Sequence, residues 1–348
     1  MYTREIQPPR SSPVEQGKPL QGTWVTPFEA TNLLDIERPF FFPFPKWIQD
    51  LRLKEWETFL IQDERFCLSA LLGNFKTFRW AQALLYDKGA KQLFKFSKFL
   101  PFSGWHIPST LSNASIDSHS YRFFFRIHDW LEADTIRFDL HIDAQRKRTA
   151  FTAHMKYDVN QSKTTPLAVN LLFSERRCMS VFKVICPVQG DIVFDGRHIV
   201  MDKEHTQGFF GDFKGYFPYQ TRAKWCTAFT IDEQGRYGFS IADNQTKESF
   251  TNNENALWVN GRLTPLPPVR ITMPKGPDSD WIIQDMEGMV DLVFTPVEPA
   301  HNVLDILVAK SEYDMPLGYF NGILLDAQGT RIQARNLWGV GENIYLRV

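Results

Sequence analysis

The sequence predicts a mainly β chain of antiparallel sandwich or barrel architecture, on three observations. Short apolar runs punctuated by turn residues begin near Trp47 and continue almost to Val348. Several of these runs alternate apolar and polar residues with the period of a half-buried strand, while helical periodicity is weak throughout. Two-residue turns of hairpin type, Asp195-Gly196 and Asn260-Gly261, separate runs of this kind.

Size and composition bound what such a chain can be. Its 348 residues exceed one small core, so two domains, or one body of two similar halves, are expected. Apolar residues make up 43% and aromatic residues 14%, which is ample for a core. Lys and Arg (39) nearly balance Asp and Glu (40), so no global field attracts nucleic acid. No stretch approaches eighteen apolar residues and the first residues lack a signal-peptide pattern, so stable membrane insertion is not expected and the reading is cytoplasmic. Cys67, Cys178, Cys186 and Cys226 form no Cys-X-X-Cys pair and fall in apolar segments, as buried reduced thiols do.

In chain order, residues 1–45 hold eight prolines and little periodicity, which predicts an extended leader. Phe40, Phe41, Phe42 and Phe44 are costly to leave in water, so this leader is expected to lie along the folded body. Lys46 to Phe59 is the one stretch that suits a short helix. Trp56–Ile61 and Phe66–Leu72 read as strands joined by a turn, and Phe75–Tyr86 continues the series. The clearest alternation is Thr135 to Ile142, with Phe151 to Tyr157 as its expected partner across a turn at Asp143 to Thr149. Further strands are read at 168–173, 179–186, 191–194, 197–201, 225–231, 237–242 and 257–259, then at 290–294, 317–325, 330–334 and 344–348. We divide the chain into the leader 1–45, a first β half at 46–200 and a second at 201–348.

Gly208 to Phe229 concentrates aromatic rings, an acid, three cations and a proline. Within it, Asp212-X-Lys214-Gly215-Tyr216-X-Pro218-Tyr219-X-Thr221 followed by Trp225 resembles the hallmark of the bacterial domain of unknown function 2804 family. The resemblance continues through Glu254 to Arg262, Trp281, Asp291 to Pro296, Gly318-X-X-X-Gly322, the turn Asp326 to Gly329, and Gly339-X-Gly341-Glu342. It covers about 165–348 well and the first third by general pattern. That family is similar to the tandem lipocalin-like proteins that include carotenoid hydratases of the hydroxyneurosporene synthase type and the tocopherol cyclases. The resemblance implies two antiparallel calycin-like barrels or half-barrels packed together around an apolar pocket, and it implies no particular reaction. One departure is specific: where the pattern leads one to expect Trp-X-Trp, this chain has Ala223-Lys224-Trp225.

Asp212, Lys214 and Tyr216 share one side if their segment is extended, and with Tyr219 they make the sharpest cluster. An acid beside a cation and a phenol in an apolar barrel suits proton transfer; the same residues equally make a buried ion pair with tyrosine packing. Glu254 and Asn255 offer a base and an orienting amide, or satisfy backbone donors beside a strand that carries Trp258. Glu342 would complement Asp212 if both reached one mouth. Asp139, His141, Asp143 and His154 have metal-capable chemistry, yet a solvated strand face gives the same pattern, so no metal is expected. His106 and His128 read as structural histidines. Dinucleotide, phosphate-loop and nucleophile-elbow motifs do not occur.

Two functions of different class follow. One is an enzyme that binds an apolar or lipid-like small molecule and performs hydration, isomerisation, lyase or cyclisation chemistry with no organic cofactor. Asp212, Lys214, Tyr216 and Glu254 would be its catalytic groups, and Tyr219, Trp225, Asn255, Trp258 and Glu342 its ligand-binding groups. The other is a noncatalytic lipid-binding or carrier protein; a structural protein with filled barrels is a third reading. Oligomeric state is left open.

Overall fold

Alternating burial along Thr135–Ile142 places Ile136, Phe138, Leu140 and Ile142 inward and Arg137 and His141 in water, as its sequence pattern dictates. The computed structural model describes residues 1–101, 105–144, 149–306 and 309–347. Residues 145–148, within the turn expected after this strand, and Val348 at the end of the last expected strand lie outside the described residues. The partner expected for Thr135–Ile142 is the observed one: Phe151–Asp158 pairs with it antiparallel, with Thr135 opposite Asp158 and Ile142 opposite Phe151.

Two antiparallel sheets organise the chain; among the described residues thirteen strands join the first and eleven the second. The first runs from Gln92–Pro101 through Phe78–Asp87, Phe66–Asn74, Lys54–Gln62, Gln207–Gly215, Arg177–Phe194, Phe151–Asp158, Thr135–Ile142 and Phe123–Trp130 to Ala114–Ser120. The second is built around Gln220–Asp232 paired with Arg331–Arg347, and extends through Gly235–Asp243 and Ala256–Val259 on one side and Leu317–Leu325 and Val290–Glu298 on the other. Each sheet curls into a half-barrel with its own apolar core. Phe59, Phe125, Phe138 and Phe210 lie in the first core, and Phe239, Trp281, Phe294 and Phe320 in the second.

The first sheet extends past residue 200, where the texture of the sequence divides the chain. Gln207–Gly215 pairs with Lys54–Gln62 on one side and Arg177–Phe194 on the other, so it closes the first half instead of opening the second. The chain changes sheets between Gly215 and Gln220, and Pro218 lies in that crossover, where it costs no ladder hydrogen bond. All nine residues of Gln207–Gly215 are buried, because both faces of the strand are covered. Phe210 faces the first core, whereas Phe209 and Phe213 join a further apolar cluster between the halves. Lys54–Gln62 divides in the same way, with Phe59 and Ile61 on one face and Leu60 and Trp56 on the other.

Two expectations about the chain's beginning are corrected. The helix spans Lys46–Arg52 and does not reach Phe59, because the residues from Lys54 onward are taken into the ladder with Gln207–Gly215 and Phe66–Asn74. The leader does lie on the body over much of its length: Gly22–Trp24 pairs with Leu167–Ser174, and the Tyr2 hydroxyl donates to the Phe250 carbonyl at 2.6 Å. Phe40 packs edge-on against Tyr216 with centroids 5.6 Å apart. Phe41, Phe42 and Phe44, however, are exposed, against the expectation that burial would claim them.

Both hairpin turns adopt the left-handed backbone that their sequences favour, with Asn260 and Gly261 at φ of 48° and 80°. The second turn also docks the halves together. The Gly261 carbonyl accepts from the Thr165 amide at 2.8 Å, and a Cβ on Gly261 would stand 2.0 Å from the Lys163 carbonyl oxygen. Gly261→Ala is therefore expected to lower unfolding stability by about 2 kcal/mol or more, read from the urea midpoint.

Candidate functional site

Between the halves lies a cavity of about 290 Å³. Its floor on the first sheet is aromatic: Trp56 stacks on Phe213 with centroids 5.0 Å apart, and Phe209, Phe217 and Trp80 extend the apolar wall. The second sheet contributes Thr221, Trp225 and Thr227 from alternate positions of Gln220–Asp232, and Glu342, Ile344 and Leu346 from alternate positions of Arg331–Arg347. Tyr313, on Ala309–Asp314, crosses the seam to meet Trp80 edge-on at 5.9 Å.

Among the described residues one carboxyl group stands among these rings. Glu342 is opposite Trp225 in the ladder, so the two side chains emerge together on the cavity face. The Tyr313 hydroxyl donates to Glu342 Oε2 at 2.7 Å. Burial raises the Glu342 carboxyl above its ordinary value; the Tyr313 bond and the Lys183 charge oppose that rise, and Glu254 adds to it. Burial, followed by the adjacent Glu342, pushes the Tyr313 phenol well up. Together they set a carboxyl whose hold on its proton is strengthened by burial beside a phenol in a largely apolar space.

Behind Trp225 sits a second polar group. Glu254 Oε1 accepts from Trp225 Nε1 at 3.0 Å and from Asn244 Nδ2 at 2.9 Å, and the same carboxylate is ion-paired with Lys183. Both ionic partners are wholly buried, and burial lowers the Lys183 ammonium although Glu254 supports its charge. Lys183 also lies 5.5 Å from the centroid of Phe213 and feels the charge of Glu342, so it links the two carboxyl groups. At another part of the wall, Lys54 donates to the Leu51 and Phe75 carbonyls at 3.0 and 2.8 Å. Burial, then repulsion from Arg52 and Lys76, brings its ammonium down to about 8.

Asp212 and Lys214 are ion-paired, but they share the face of Phe210 and point into the first half, away from the cavity. They belong to a buried group with Glu57 and Asp129. Burial and then the Asp212 charge raise the Asp129 carboxyl to about 8, and burial, Asp129 and Asp212 push Glu57 well above the carboxylate range. Burial raises Asp212 despite Lys214; for Lys214 burial acts downward, and Asp212 outweighs it. Three carboxyl groups around one ammonium cannot all be ionised at low cost, so the group stores protons.

The other expected site residues are dispersed. Tyr216 lies beyond the strand end, among Leu33, Leu53 and Cys178 under the leader, with its phenol raised by burial. Tyr219 is exposed in the crossover. Asn255 braces two backbones, accepting from the Ala242 amide at 2.7 Å and donating to the Pro267 carbonyl at 2.8 Å. Trp258 is buried and donates to the Thr165 carbonyl at 2.8 Å. Thus Trp225 and Glu342 meet on the cavity wall with Glu254 behind Trp225, and Asp212 and Glu342 do not share a mouth. His154 pairs with Asp139 at 2.7 Å and His141 with Asp143 at 2.9 Å on an exposed face, and among the described residues no three His, Cys, Asp or Glu side chains form a metal-holding group.

A family model described as a domain of unknown function, DUF2804, matches residues 3–347. The chain belongs to the DUF2804 family. No curated protein matches it in sequence. Among solved structures, this DUF2804 protein is similar to kievitone hydratase from Nectria haematococca, with 11% identity, a TM-score of 0.45, and 84% of this chain and 88% of that chain covered. It is also similar to a putative AttH protein from Nitrosomonas europaea, with 14% identity, a TM-score of 0.44, and coverage of 85% and 93%.

Four residues of this DUF2804 protein's polar groups escaped the sequence reading: Lys183, Tyr313, Glu57 and Asp129. Lys183 stands alone in the apolar run Val181-Phe182-Lys183-Val184-Ile185, and Glu57 interrupts Trp56 to Ile61. A lone charge in a strand otherwise buried on both faces is the available signal of an internal partner. Tyr313 carries no such mark, since only the fold brings it to Glu342.

The Asp129 carboxyl, with an ordinary value of 3.8, is raised to about 8 in the folded chain, so the folded state binds more protons than the unfolded state between those values. Its contribution to stability then falls as pH rises through that window. Asp129→Asn should stabilise the protein at pH 8 by ~1 kcal/mol or more, with the gain vanishing toward pH 4, as read from denaturant midpoints at several pH values. An equal effect at all pH values would contradict the stored proton.

Proposed function

We propose that the protein binds an apolar small molecule bearing an oxygen function in the cavity between its halves, and that Glu342, with Tyr313, moves a proton at that function. The observation that carries this reading is a carboxyl on the wall of an aromatic cavity at hydrogen-bond distance from a phenol. The volume lies near the lower end of ligand sites, about 300–1,000 Å³, which fits a compact ligand.

In this reading Glu342 is the proton donor, its acidic form favoured by burial, and after transfer the carboxylate is stabilised by the Tyr313 hydroxyl and the Lys183 charge. Glu254 acts on the ligand through Trp225, whose ring it fixes by the indole hydrogen bond. Asp212 and Lys214 serve by holding the strand whose opposite face supplies Phe209 and Phe213. Hydration, isomerisation, lyase and cyclisation chemistry all fit a single positioned acid and need no organic cofactor. We place the protein in a reducing compartment, consistent with the cytoplasm, because its four cysteines are free and buried. No described helix is long and apolar enough to cross a membrane.

Ala223 shares the cavity face with Thr221 and Trp225 and packs beside Trp225 and Ile344. Ala223→Trp should fill part of the cavity and weaken binding of the fluorescent probe 1-anilinonaphthalene-8-sulfonate about tenfold, roughly 1.4 kcal/mol. For the unaltered chain, affinity for this anionic probe should fall as pH rises through the raised Glu342 value, and Glu342→Gln should flatten that profile while keeping binding. Undiminished binding in Ala223→Trp, or an unchanged profile in Glu342→Gln, would overturn the assignment.

A further inference from the structure

The proline-rich segment before the helix leaves its apolar side chains in water. Phe41 is 88% exposed, Phe42 62%, Trp47 66%, Leu51 40% and Phe44 39%. These side chains fall within eleven residues, and the phenylalanine rings among them touch in sequence. Phe41 meets Phe42 at 5.2 Å, Phe42 meets Phe44 at 6.2 Å, and Phe44 meets the anchored Phe40 at 6.1 Å. Pro39, Pro43 and Pro45 restrict the backbone so that the rings cannot simply fold back onto the body. Burying so much apolar surface is ordinarily the cheapest gain open to a chain, so a concentration of exposed apolar side chains of this kind marks a contact surface.

Its charge says what it contacts. From Arg38 to Arg52 there are three cations, Arg38, Lys46 and Arg52, and one acid, Asp50. That acid is already paired with Lys76 at 2.9 Å. Arg52 and Arg177 flank Phe40 at 5.9 and 5.0 Å from the ring centroid. Projecting Phe and Trp side chains bordered by Lys and Arg match the interface of a bilayer with anionic headgroups, where rings enter the acyl boundary and cations stay at the phosphates.

The patch also adjoins the cavity. Leu51, at its edge, offers its carbonyl to Lys54 Nζ at 3.0 Å, and Lys54 and Phe75, which accepts from the same ammonium, both line the cavity. We propose that residues 41–51 form a docking surface for an anionic lipid bilayer, set beside the cavity so that an apolar ligand passes between membrane and protein. The second clause rests on the ligand-binding reading; the docking itself does not.

The test is co-sedimentation of the full chain with phosphatidylcholine vesicles with and without phosphatidylserine. The protein should pellet with the phosphatidylserine vesicles, less with phosphatidylcholine alone, and less again at high salt. The double variant Phe41→Ser/Trp47→Ser should bind about tenfold more weakly while keeping its urea midpoint, because both side chains are exposed. Wild-type protein left in the supernatant, or a double variant that pellets like wild type, would overturn the proposal. So would concentration-dependent dimerisation in sedimentation velocity that the same variant abolishes, since a second copy would then be the occupant. Vesicle binding failing while the cavity still takes 1-anilinonaphthalene-8-sulfonate in an Ala223-sensitive way would sink the docking and leave the ligand reading standing; the reverse result would sink the ligand reading alone.

Discussion

The pairing of Lys54–Gln62 with Gln207–Gly215 is the constraint on which the rest of the structure depends. It joins residues far apart in the chain and closes the first half-barrel. It also creates two different environments on the two faces of the same ladder. One face carries Phe59 and Phe210 into a sealed core, and the other presents Trp56 and Phe213 to the second half. Because the strands are covered on both sides, a polar residue on either face must bring its partner with it.

This double burial explains where the charges stand. On the inner face Asp212 and Lys214 share a buried group with Glu57 and Asp129, and the excess of carboxyl groups is met by protonation. On the outer side Lys183 pairs with Glu254 and lies within the field of Glu342, and of these three Glu342 lines the cavity. The two sets look alike in sequence, as acids and lysines in apolar strands, and they differ in what faces them. The first set meets only a pocket of about 10 Å³ beside Asp212, whereas Glu342 of the second stands on the wall of the cavity of about 290 Å³.

Strand positions and hairpin turns were legible because they depend on local chemistry. Alternation in Thr135–Ile142 and the left-handed pair Asn260-Gly261 are properties of neighbouring residues. The sheet boundary was not legible, since Gln207–Gly215 is buried on both faces and nothing in its own residues says which sheet it joins. Family-like motifs drew attention to Asp212 and to Glu342, and only the pleat decided that they face different spaces. Tyr313 reaches Glu342 through a strand pairing made at long range, so its role has no local signature. The exposed rings of Phe41 and Phe42 departed from expectation for the opposite reason: the hydrophobic rule states what burial would gain, and the proline-constrained backbone leaves that gain unrealised.

The central claim is that the space between the halves holds a small apolar molecule. Native mass spectrometry of the protein purified from its own host tests it most directly. The account predicts a stoichiometric adduct of a compact, oxygen-bearing apolar compound, present in the unaltered chain and lost in Ala223→Trp. A bare protein mass from gently handled preparations, with Ala223→Trp equally folded and indistinguishable in its binding of apolar probes, would contradict it.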